Sequence, residues 1–337
     1  MPPHEFAFEL AVCSWAERRW PPGGERERPV VVARQLGTER RRWDTLVVEC
    51  DPEGLRARAA FGEQRLDSDL LHVVRHAPAT WTWYRDALPD PGYPWRYVRE
   101  AVHRAADRGV VETRTGSNGR VELRRRWVYP DWVERLVAIE NKPDLDASAA
   151  RTLAPQLEHD VALALCDEAW VATAATGERV EPALVERLPV EAGILAVDGE
   201  GAEVLWHPRR LAVDRPGTRI LDRPSGGEGD RSAARFEYAA PAWKRRKRLE
   251  IAERAYERGW RSYADTMRTD CRHFALHGAA APHCRAKDRC PSVRECAGSC
   301  PDFEPEPPAW RQKGWPIEGG PGKAIERVLA RQRARRR

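Results

Sequence analysis

The sequence predicts an α/β protein whose core is a mixed sheet flanked by helices. The first supporting observation is near the N-terminus, where residues 4–20 have a helical pattern that ends at Pro21-Pro22-Gly23-Gly24. Two apolar strands follow, over residues 30–33 and 45–49, with a turn between them. A helix followed by a hairpin is therefore expected at the start of the core.

The second observation is a strand, helix and strand in sequence over residues 133–140, 148–165 and 169–172. Two strands joined through a helix usually lie parallel in the same sheet. A further hairpin, over residues 193–197 and 202–206, extends the pattern. The combination of hairpins with a parallel crossover predicts a mixed sheet.

An inserted module is expected between these two halves of the core, over residues 63–128. It contains a helical pattern over residues 95–108, followed by alternating strands over 110–114 and 120–126. The turn between the strands contains Asn118-Gly119, a strong hairpin signal. A helix followed by an Arg-rich hairpin is the winged-helix pattern, and it favours contact with phosphates. A small helical cap with a surface hairpin is the simpler alternative.

The predicted domain organisation has five segments. In chain order they are the first part of the core (1–62), the inserted winged-helix-like module (63–128), the second part of the core (129–222), a helical and Cys-rich metal-binding region (233–303), and a Pro/Gly-rich and basic tail (304–337).

The composition of the 337 residues is that of an ordinary soluble protein, with 42% hydrophobic and 32% charged residues. No apolar stretch approaches the roughly 18 to 20 residues that span a membrane, and the first residues lack a signal-peptide pattern. We therefore expect a cytoplasmic protein without a membrane partner. The net charge of +5 is weak evidence for a nucleic-acid partner. The basic runs 244–248 and 331–337 suit phosphates, although each is equally well explained as solvated surface or a tail.

Asp44, Glu140 and Lys142 are the candidate catalytic residues. Asp44 begins one predicted strand, and Glu140 and Lys142 lie two residues apart on another, so their side chains point to the same face. Two carboxylates supply hard oxygen ligands for Mg²⁺ or Mn²⁺, and such an ion can polarise a phosphodiester and acidify water. The simpler alternative makes Asp44 a turn residue, and Glu140 and Lys142 a surface ion pair.

These residues resemble the motif of the PD-(D/E)XK nuclease superfamily, which has a restriction-endonuclease-like fold. The resemblance rests on Arg42 to Val48 and on Leu136 to Lys142, and it covers roughly residues 4–60 and 130–210. It implies that Asp44 is the first acid, Glu140 the second and Lys142 the lysine. Relatives usually have a short hairpin between the two acids, and an insertion at 66–127 accounts for their separation here.

The same resemblance implies two further site residues. Many exonuclease-type members have an acid on the opening helix, where Glu9 is the candidate and Glu5 is less favoured. Members also often have a Gln on the helix that follows the catalytic strand, and Gln156 fits this position. A Tyr that often lies four residues later is here Asp160, a departure that puts nucleic-acid contact by that helix in doubt.

Five of the eight cysteines lie between residues 271 and 300, which indicates metal binding in a cytosolic chain. Four thiolates can bind Zn²⁺ or a [4Fe–4S] cluster. The predicted ligands are Cys271, Cys284, Cys296 and Cys300, with Cys290 as a spare. His273, His277 or His283 could replace a cysteine in a zinc site.

The cysteine group also loosely resembles the C-terminal iron–sulfur site of some exonucleases of this superfamily, including helicase-linked ones. That resemblance implies a repair or helicase-type protein partner. The stretches Arg40 to Asp44, Pro307 to Trp310 and Gly319 to Lys323 are similar to an uncharacterised family common in haloarchaea, whose members are normally acidic, unlike this chain.

The function expected from these patterns is Mg²⁺-dependent hydrolysis of nucleic acid, with DNA the favoured substrate. A non-catalytic winged-helix DNA-binding or regulatory protein on a nuclease-like scaffold is the first alternative. A structural metalloprotein that acts as a scaffold for partners, without affinity for nucleic acid, is the second.

Overall fold

The computed structural model describes residues 5–24, 28–116, 118–175, 186–198, 201–222, 235–278 and 281–305. Within these residues the chain divides into two compact units. One is Cys50–Glu134, which contains the predicted module at 63–128, and the other is formed by the residues on either side of it. The predicted linker at 226–232, the basic run at 331–337 and the tail after Pro305 lie outside the described residues.

The larger unit begins with helix α1 (Glu5–Arg19) and the antiparallel strands β1 (Val30–Gly37) and β2 (Arg42–Cys50). Helix α1 is apolar around most of its circumference, and nine of its residues from Phe6 to Ala16 are buried. A helix of this kind belongs inside a core rather than on a surface. It packs against β1.

The smaller unit combines short helices with a three-stranded sheet of order β3-β5-β4. Helices α3 and α5 pack together, and α5 buries Val98, Ala101, Val102 and Ala105 on one stripe. Its elements are α2 (Pro52–Ala59), α3 (Ser68–His76), β3 (Thr82–Trp83), α4 (Tyr84–Ala87), α5 (Trp95–Asp107), β4 (Val111–Thr115) and β5 (Val121–Arg125).

The β4–β5 hairpin has the turn that its Asn-Gly pair predicts. Gly119 has a φ of 68°, a conformation that glycine adopts without steric cost. The backbone N–H of Gly116 donates to the carbonyl of Arg120 across the turn. Sequence patterns did not indicate α2, β3 or α4, which are short elements with weak periodicity.

The larger unit resumes with β6 (Val133–Asn141), α6 (Ala147–Leu163), β7 (Glu168–Ala174), β8 (Gly193–Val197) and β9 (Ala202–Trp206). Six strands form one sheet of order β1-β2-β6-β7-β8-β9. The pairs β6–β7 and β7–β8 are parallel, whereas β1–β2 and β8–β9 are antiparallel. The prediction of an α/β protein with a mixed sheet flanked by helices is therefore confirmed.

The two faces of the sheet are covered by different helices. Trp170 and Ala172 of β7 pack into the cluster that contains α1, whereas Ala169 and Val171 pack into the cluster that contains α6. Alternation of this kind follows from the two-residue period of a strand. Because β6 lies between these layers, six of its residues in succession, Leu136 to Asn141, are buried.

The C-terminal part begins with an antiparallel hairpin of β10 (Gly217–Asp222) and β11 (Arg235–Ala239). Helix α7 (Pro241–Arg258) and a 3₁₀ helix (Trp260–Asp265) follow in sequence. A second antiparallel hairpin then consists of β12 (Phe274–His277) and β13 (Ala281–Cys284). The sequence predicted a helix over 249–261. The helix instead begins eight residues earlier at Pro241, since proline is favoured at the first helical position.

The basic run at 244–248 is only partly a surface available to phosphates. The Lys244 side chain is buried, and its Nζ donates to the carbonyls of Ala212 and Arg215, each at 3.0 Å. Arg248 donates to the buried carboxylate of Asp167 at 2.6 Å. Two of the five cations in the run thus hold the fold together. Neither alternative of the sequence analysis, phosphate contact or solvated surface, therefore applies to Lys244 and Arg248.

Candidate functional site

A partly buried amide joins two of the predicted acids. Helix α1 carries Glu9 to the sheet, where its carboxylate is 6% exposed. The Gln35 side chain on β1 donates from its single Nε2 to Glu9 Oε1 and to Asp44 Oδ1, both at 3.0 Å. Arg34 holds the Glu9 carboxylate from another side, with contacts of 3.0 and 3.1 Å. Glu9 and Asp44, which are 35 residues apart in sequence, therefore lie on either side of one nitrogen atom.

The second oxygen of Asp44 connects this pair to the strand that carries Glu140. The backbone N–H of Asn141 donates to Asp44 Oδ2 at 3.0 Å. The Asn141 side chain donates to Thr45 Oγ1 at 3.0 Å and is buried. Asn141 is thus used to fix β6 against β2, while its neighbours Glu140 and Lys142 are left for the site, as alternation along the strand requires.

Glu140 is held by a cation that the sequence did not single out. Arg41 Nη2 donates to Glu140 Oε1 at 2.7 Å, and the same guanidinium contacts Asp160 on α6 at 2.8 to 3.1 Å. Trp43 Nε1 also donates to Asp160, at 3.1 Å. Asp160, which stands where relatives of the suggested superfamily often have a Tyr, therefore serves to orient Arg41.

The surroundings of Glu9 and Glu140 disfavour the charged forms of these two acids. Burial and the nearby Asp44 carboxylate raise the pKa of Glu140 to about 8, against the opposing effect of Arg41. Burial likewise raises the pKa of Glu9, although Arg34 and Gln35 oppose this, and Asp44 adds to it. Binding of a proton or a cation offsets the cost of keeping carboxylates charged when they are grouped and desolvated in this way. The donor set, three carboxylates, is that of a hard divalent ion.

Lys142 extends from the end of β6 toward α1. Its Nζ donates to Glu5 Oε1 at 2.8 Å, and this hydrogen bond raises the pKa of the lysine. Asp44 and Glu140 are near enough to raise it further, so Lys142 is charged beside the acids. Glu5, the less favoured acid of the sequence analysis, is thus the partner of the lysine, whereas Glu9 is the acid joined to Asp44.

Gln156 is not drawn into this network. It is exposed on α6, and within the described part of the chain the structure gives it no hydrogen bond to the acids. Sequence reasoning overlooked Arg34, Gln35 and Arg41 instead. Arg34 and Gln35 interrupt an otherwise apolar strand, and charged or amide side chains inside such a strand are a usable signal of a buried polar site.

The four predicted cysteine ligands line one cavity. Cys271, Cys284, Cys296 and Cys300 lie in the lining of a pocket that is partly open to solvent. Arg268 and Lys287 line the same cavity, so cations stand beside the thiols. None of the eight cysteines, all of which lie in the described residues, forms a disulfide.

Cys290 does not line the cavity. Like Cys271 and Cys296, it packs in the hydrophobic core formed around α1, and burial raises the pKa of its thiol to about 11. Burial also raises the pKa of Cys296, and the other three cavity cysteines contribute to the same shift. His277 and His283 stack on each other with ring centroids 4.1 Å apart, and the cavity lining includes neither of them.

Neither the carboxylates nor the cysteines are arranged in the structure as a complete set of ligands for one metal ion. No group of three or more His, Cys, Asp or Glu side chains among residues whose placement is described has that geometry. The acids are turned toward their protein partners, Glu140 toward Arg41, and both Glu9 and Asp44 toward Gln35. Binding a cation at the acids therefore requires these carboxylates to rotate.

The chain belongs to a family of unknown function, DUF5787, whose model matches residues 31–305. No curated protein matches its sequence. Among solved structures it is similar to the SPO1766 protein of unknown function from Silicibacter pomeroyi, with 18% identity and a TM-score of 0.21 over 47% of this chain and 82% of that one. In the described residues, no helix is long and apolar enough to cross a membrane.

Proposed function

We propose that this protein is a metal-dependent nuclease that hydrolyses phosphodiester bonds of nucleic acid, with DNA as its substrate. The observation that carries the proposal is the bridge from Glu9 through Gln35 to Asp44, together with the hydrogen bond from Asn141 to the same Asp44. It brings acids from a helix and two strands to one place beside a lysine. Surface ion pairs rarely require such a buried arrangement.

Each residue has a distinct role in this proposal. Asp44 and Glu140 bind Mg²⁺ or Mn²⁺, and Glu9 completes the anionic site. A divalent ion held there polarises the phosphodiester and lowers the pKa of water. Lys142 orients the attacking water and stabilises the negative charge that grows on the phosphate. Gln156 is exposed on α6 and has no role in this proposed chemistry.

The order of elements supports a restriction-endonuclease-like core for this chemistry. A helix precedes an antiparallel pair, the second strand of that pair neighbours β6, and a helix connects β6 to the parallel strand β7. The first acid then falls on β2 and the second acid and lysine on β6, which agrees with the motif proposed for this core.

The test is cleavage of end-labelled single- and double-stranded DNA by the full-length protein with Mg²⁺ or Mn²⁺. We expect cleavage that requires the cation and is lost in Asp44→Asn and Glu140→Gln. A matched control is Glu237→Gln, which removes a carboxylate partner of Arg219 whose side chain is 53% exposed. Wild-type protein without cleavage, or active-site variants as active as the control, would contradict the proposal.

We propose further that Cys271, Cys284, Cys296 and Cys300 hold a [4Fe–4S] cluster, with Zn²⁺ as the alternative. The support is that the four cysteines line one pocket together with Arg268 and Lys287, whose charges are partly balanced by Glu295 and Asp302 in the same lining. The two cations would offset part of the negative charge of a thiolate-bound centre. Because the cysteine segment packs on the core around α1, such a centre would stabilise the larger unit.

The iron–sulfur and zinc alternatives are distinguished by anaerobic purification, a visible spectrum, and assays of iron, labile sulfide and zinc. We expect iron and sulfide in the wild type and their loss in Cys296→Ser. Cys290→Ser is the matched control and should keep the centre, because Cys290 lies outside the cavity. Zinc without iron would favour the alternative, and protein that contains neither metal would rule out both.

A second candidate function, DNA binding without cleavage, is favoured by the smaller unit. Arg114 and Arg124 each stack on Trp81 at 4.7 Å, and Arg120 stacks on Trp83 at 4.3 Å, around the β4–β5 hairpin. We propose this hairpin as the wing of a winged-helix module. Salt-sensitive DNA binding that is unchanged in Asp44→Asn and lost in Arg120→Ala, without cleavage by the wild type, would support this function instead.

A further inference from the structure

Gln35 occupies the point between two carboxylates where a bound cation would be expected. Its Nε2 is 3.0 Å from Glu9 Oε1 and 3.0 Å from Asp44 Oδ1. Both acceptors are carboxylate oxygens, and the donor is one neutral amide group. Arg34 contacts Glu9 and Asn141 contacts Asp44 at the same distance of 3.0 Å, but among the described hydrogen bonds those of Gln35 reach both acids.

The backbone of Gln35 is unusual at this same position. Its φ is +52°, which lies in the left-handed region, although it is inside β1 and its neighbours Arg34 and Leu36 pair regularly with Thr45 and Trp43. Non-glycine residues rarely adopt this conformation within a strand, and such outliers cluster at functional sites. The unusual backbone conformation of Gln35 therefore indicates that its side chain belongs to a functional site.

We infer that Gln35 is a ligand of the divalent cation, through its amide oxygen, in the site formed by Glu9, Asp44 and Glu140. This inference rests on the proposed function and adds a residue to its site. A carboxamide has a donor and an acceptor on the same carbon. Rotation about its last bond replaces Nε2 by Oε1, so the group that bridges the acids without the ion becomes an oxygen ligand with it. Amide oxygens are established ligands of hard cations.

The choice of Gln over Glu at this position has an electrostatic reason. Glu9 and Asp44 each lie 3.0 Å from the same nitrogen atom of Gln35, so a carboxylate in place of this amide would stand beside two other carboxylates. A further carboxylate would add repulsion before the ion arrives. The amide instead links two of the acids while the site is empty of cation, and contributes an oxygen without adding charge.

The test measures Mn²⁺ binding to the full-length protein, as purified with its cysteine centre, by titration calorimetry. The variants are Gln35→Gly, Gln35→Glu and Asp44→Ala. Glycine adopts a φ of +52° without strain, so Gln35→Gly removes the amide and leaves the backbone relaxed. We expect Gln35→Gly to weaken Mn²⁺ binding on the order of tenfold, and Asp44→Ala to abolish it.

Gln35→Glu separates a ligand from a purely structural bridge. A ligand predicts a lower thermal midpoint without cation, since a fourth carboxylate repels the others, and a larger rise in the midpoint on adding Mn²⁺ than in the wild type. A structural bridge predicts a loss that Mn²⁺ does not restore. If the wild type binds Mn²⁺ through Asp44 and both Gln35 variants keep its affinity, the inference is overturned and the proposed function survives. If the wild type binds no Mn²⁺, both fail.

Discussion

Arg41 joins two buried carboxylates on different elements, Glu140 at 2.7 Å and Asp160 at 2.8 Å, through one Nη2. Burial alone would lower the pKa of Arg41, but Asp160 and Glu140 outweigh this effect and leave it raised. The guanidinium is therefore a permanent charge that ties β6 to α6. It also determines where the Glu140 carboxylate points when no cation is bound.

Replacing Arg41 should destabilise the protein strongly. Arg41→Met leaves Glu140 and Asp160 buried without their cation, and breaking a buried pair in this way typically costs about 3 to 5 kcal/mol. Urea unfolding followed by circular dichroism would measure the loss. We expect Arg41→Met/Asp160→Leu to be more stable than Arg41→Met alone, because the second change removes one of the stranded charges.

The control for this prediction is Arg114→Met. Arg114 also pairs with a carboxylate at 2.7 Å, that of Glu122, but its side chain is 53% exposed. Exposed pairs contribute about 0 to 1 kcal/mol. Equal losses in the two methionine variants would show that burial does not give the Arg41 pair its importance.

The stability of the cation-free protein should fall as pH rises. The pKa of Glu140 is about 8 in the folded state against an ordinary value of 4.5, so the folded state keeps this proton at pH values where the unfolded chain has lost it. The contribution of Glu140 to stability is therefore full below pH 4.5 and is lost as pH rises through about 8. Urea midpoints in chelator-treated buffer without added divalent cation would follow this loss.

Glu140→Gln should remove that part of the pH dependence, because an amide cannot release the proton. We expect the variant to exceed the wild type in stability at pH 8 and to approach it at low pH. Parallel curves for the two proteins would mean that Glu140 does not carry the shift. Addition of Mg²⁺ should restore stability to the wild type alone, since the cation competes with the proton for the same carboxylates.

The lysine and its partner should differ sharply in their effect on cleavage. Lys142→Ala removes the charge beside Asp44 and Glu140, and loss of one such stabilising group typically lowers kcat by about 10² to 10³. Glu5→Gln removes only the partner of Lys142, and the side chain of Glu5 is 64% exposed. We expect Glu5→Gln to lower kcat by less than tenfold, because an exposed ion pair contributes little free energy.

Glu9→Gln completes this comparison. Glu9 is buried and joined to Asp44 through Gln35, so its loss should reduce cleavage at least as much as that of Lys142. Single-turnover cleavage rates at saturating Mg²⁺ would rank the three variants. A Glu5 variant more damaged than the Glu9 variant would exchange the roles assigned to the two acids.

The elements of the larger unit were predictable because their apolar patterns are strong. Strand β6 is apolar from Leu136 to Ile139, and α1 is apolar around most of its surface, so periodicity and run length were sufficient. The hairpins β10–β11 and β12–β13 were not predicted. Their strands are short and mixed in polarity, and β11 is exposed except for Ala239, so no burial pattern distinguishes them.

The site was predictable only where its residues lie close together in sequence. Glu140 and Lys142 follow from strand alternation, whereas Gln35 and Arg41 act through contacts with residues up to 119 positions away. Local sequence contains no information about those partners. Clustering marks all five cysteines between residues 271 and 300, and the tertiary structure is needed to show that Cys290 lies outside the pocket that the other four line.

A final prediction concerns the packing of the β10–β11 hairpin on α6. Gly217 begins β10 directly against the last residue of α6, and a Cβ at this position would overlap the backbone carbonyl of Leu163. Backbone cannot move aside as a flexible side chain can, so Gly217→Ala should lower stability by about 1 to 3 kcal/mol, the usual cost of overpacking. Gly298→Ala is the matched control, because a Cβ there meets no atom within 4 Å and should change stability by less than about 0.5 kcal/mol. Chemical unfolding of both variants decides the matter, and a Gly217 variant as stable as the Gly298 variant would show that the hairpin is not packed closely against α6.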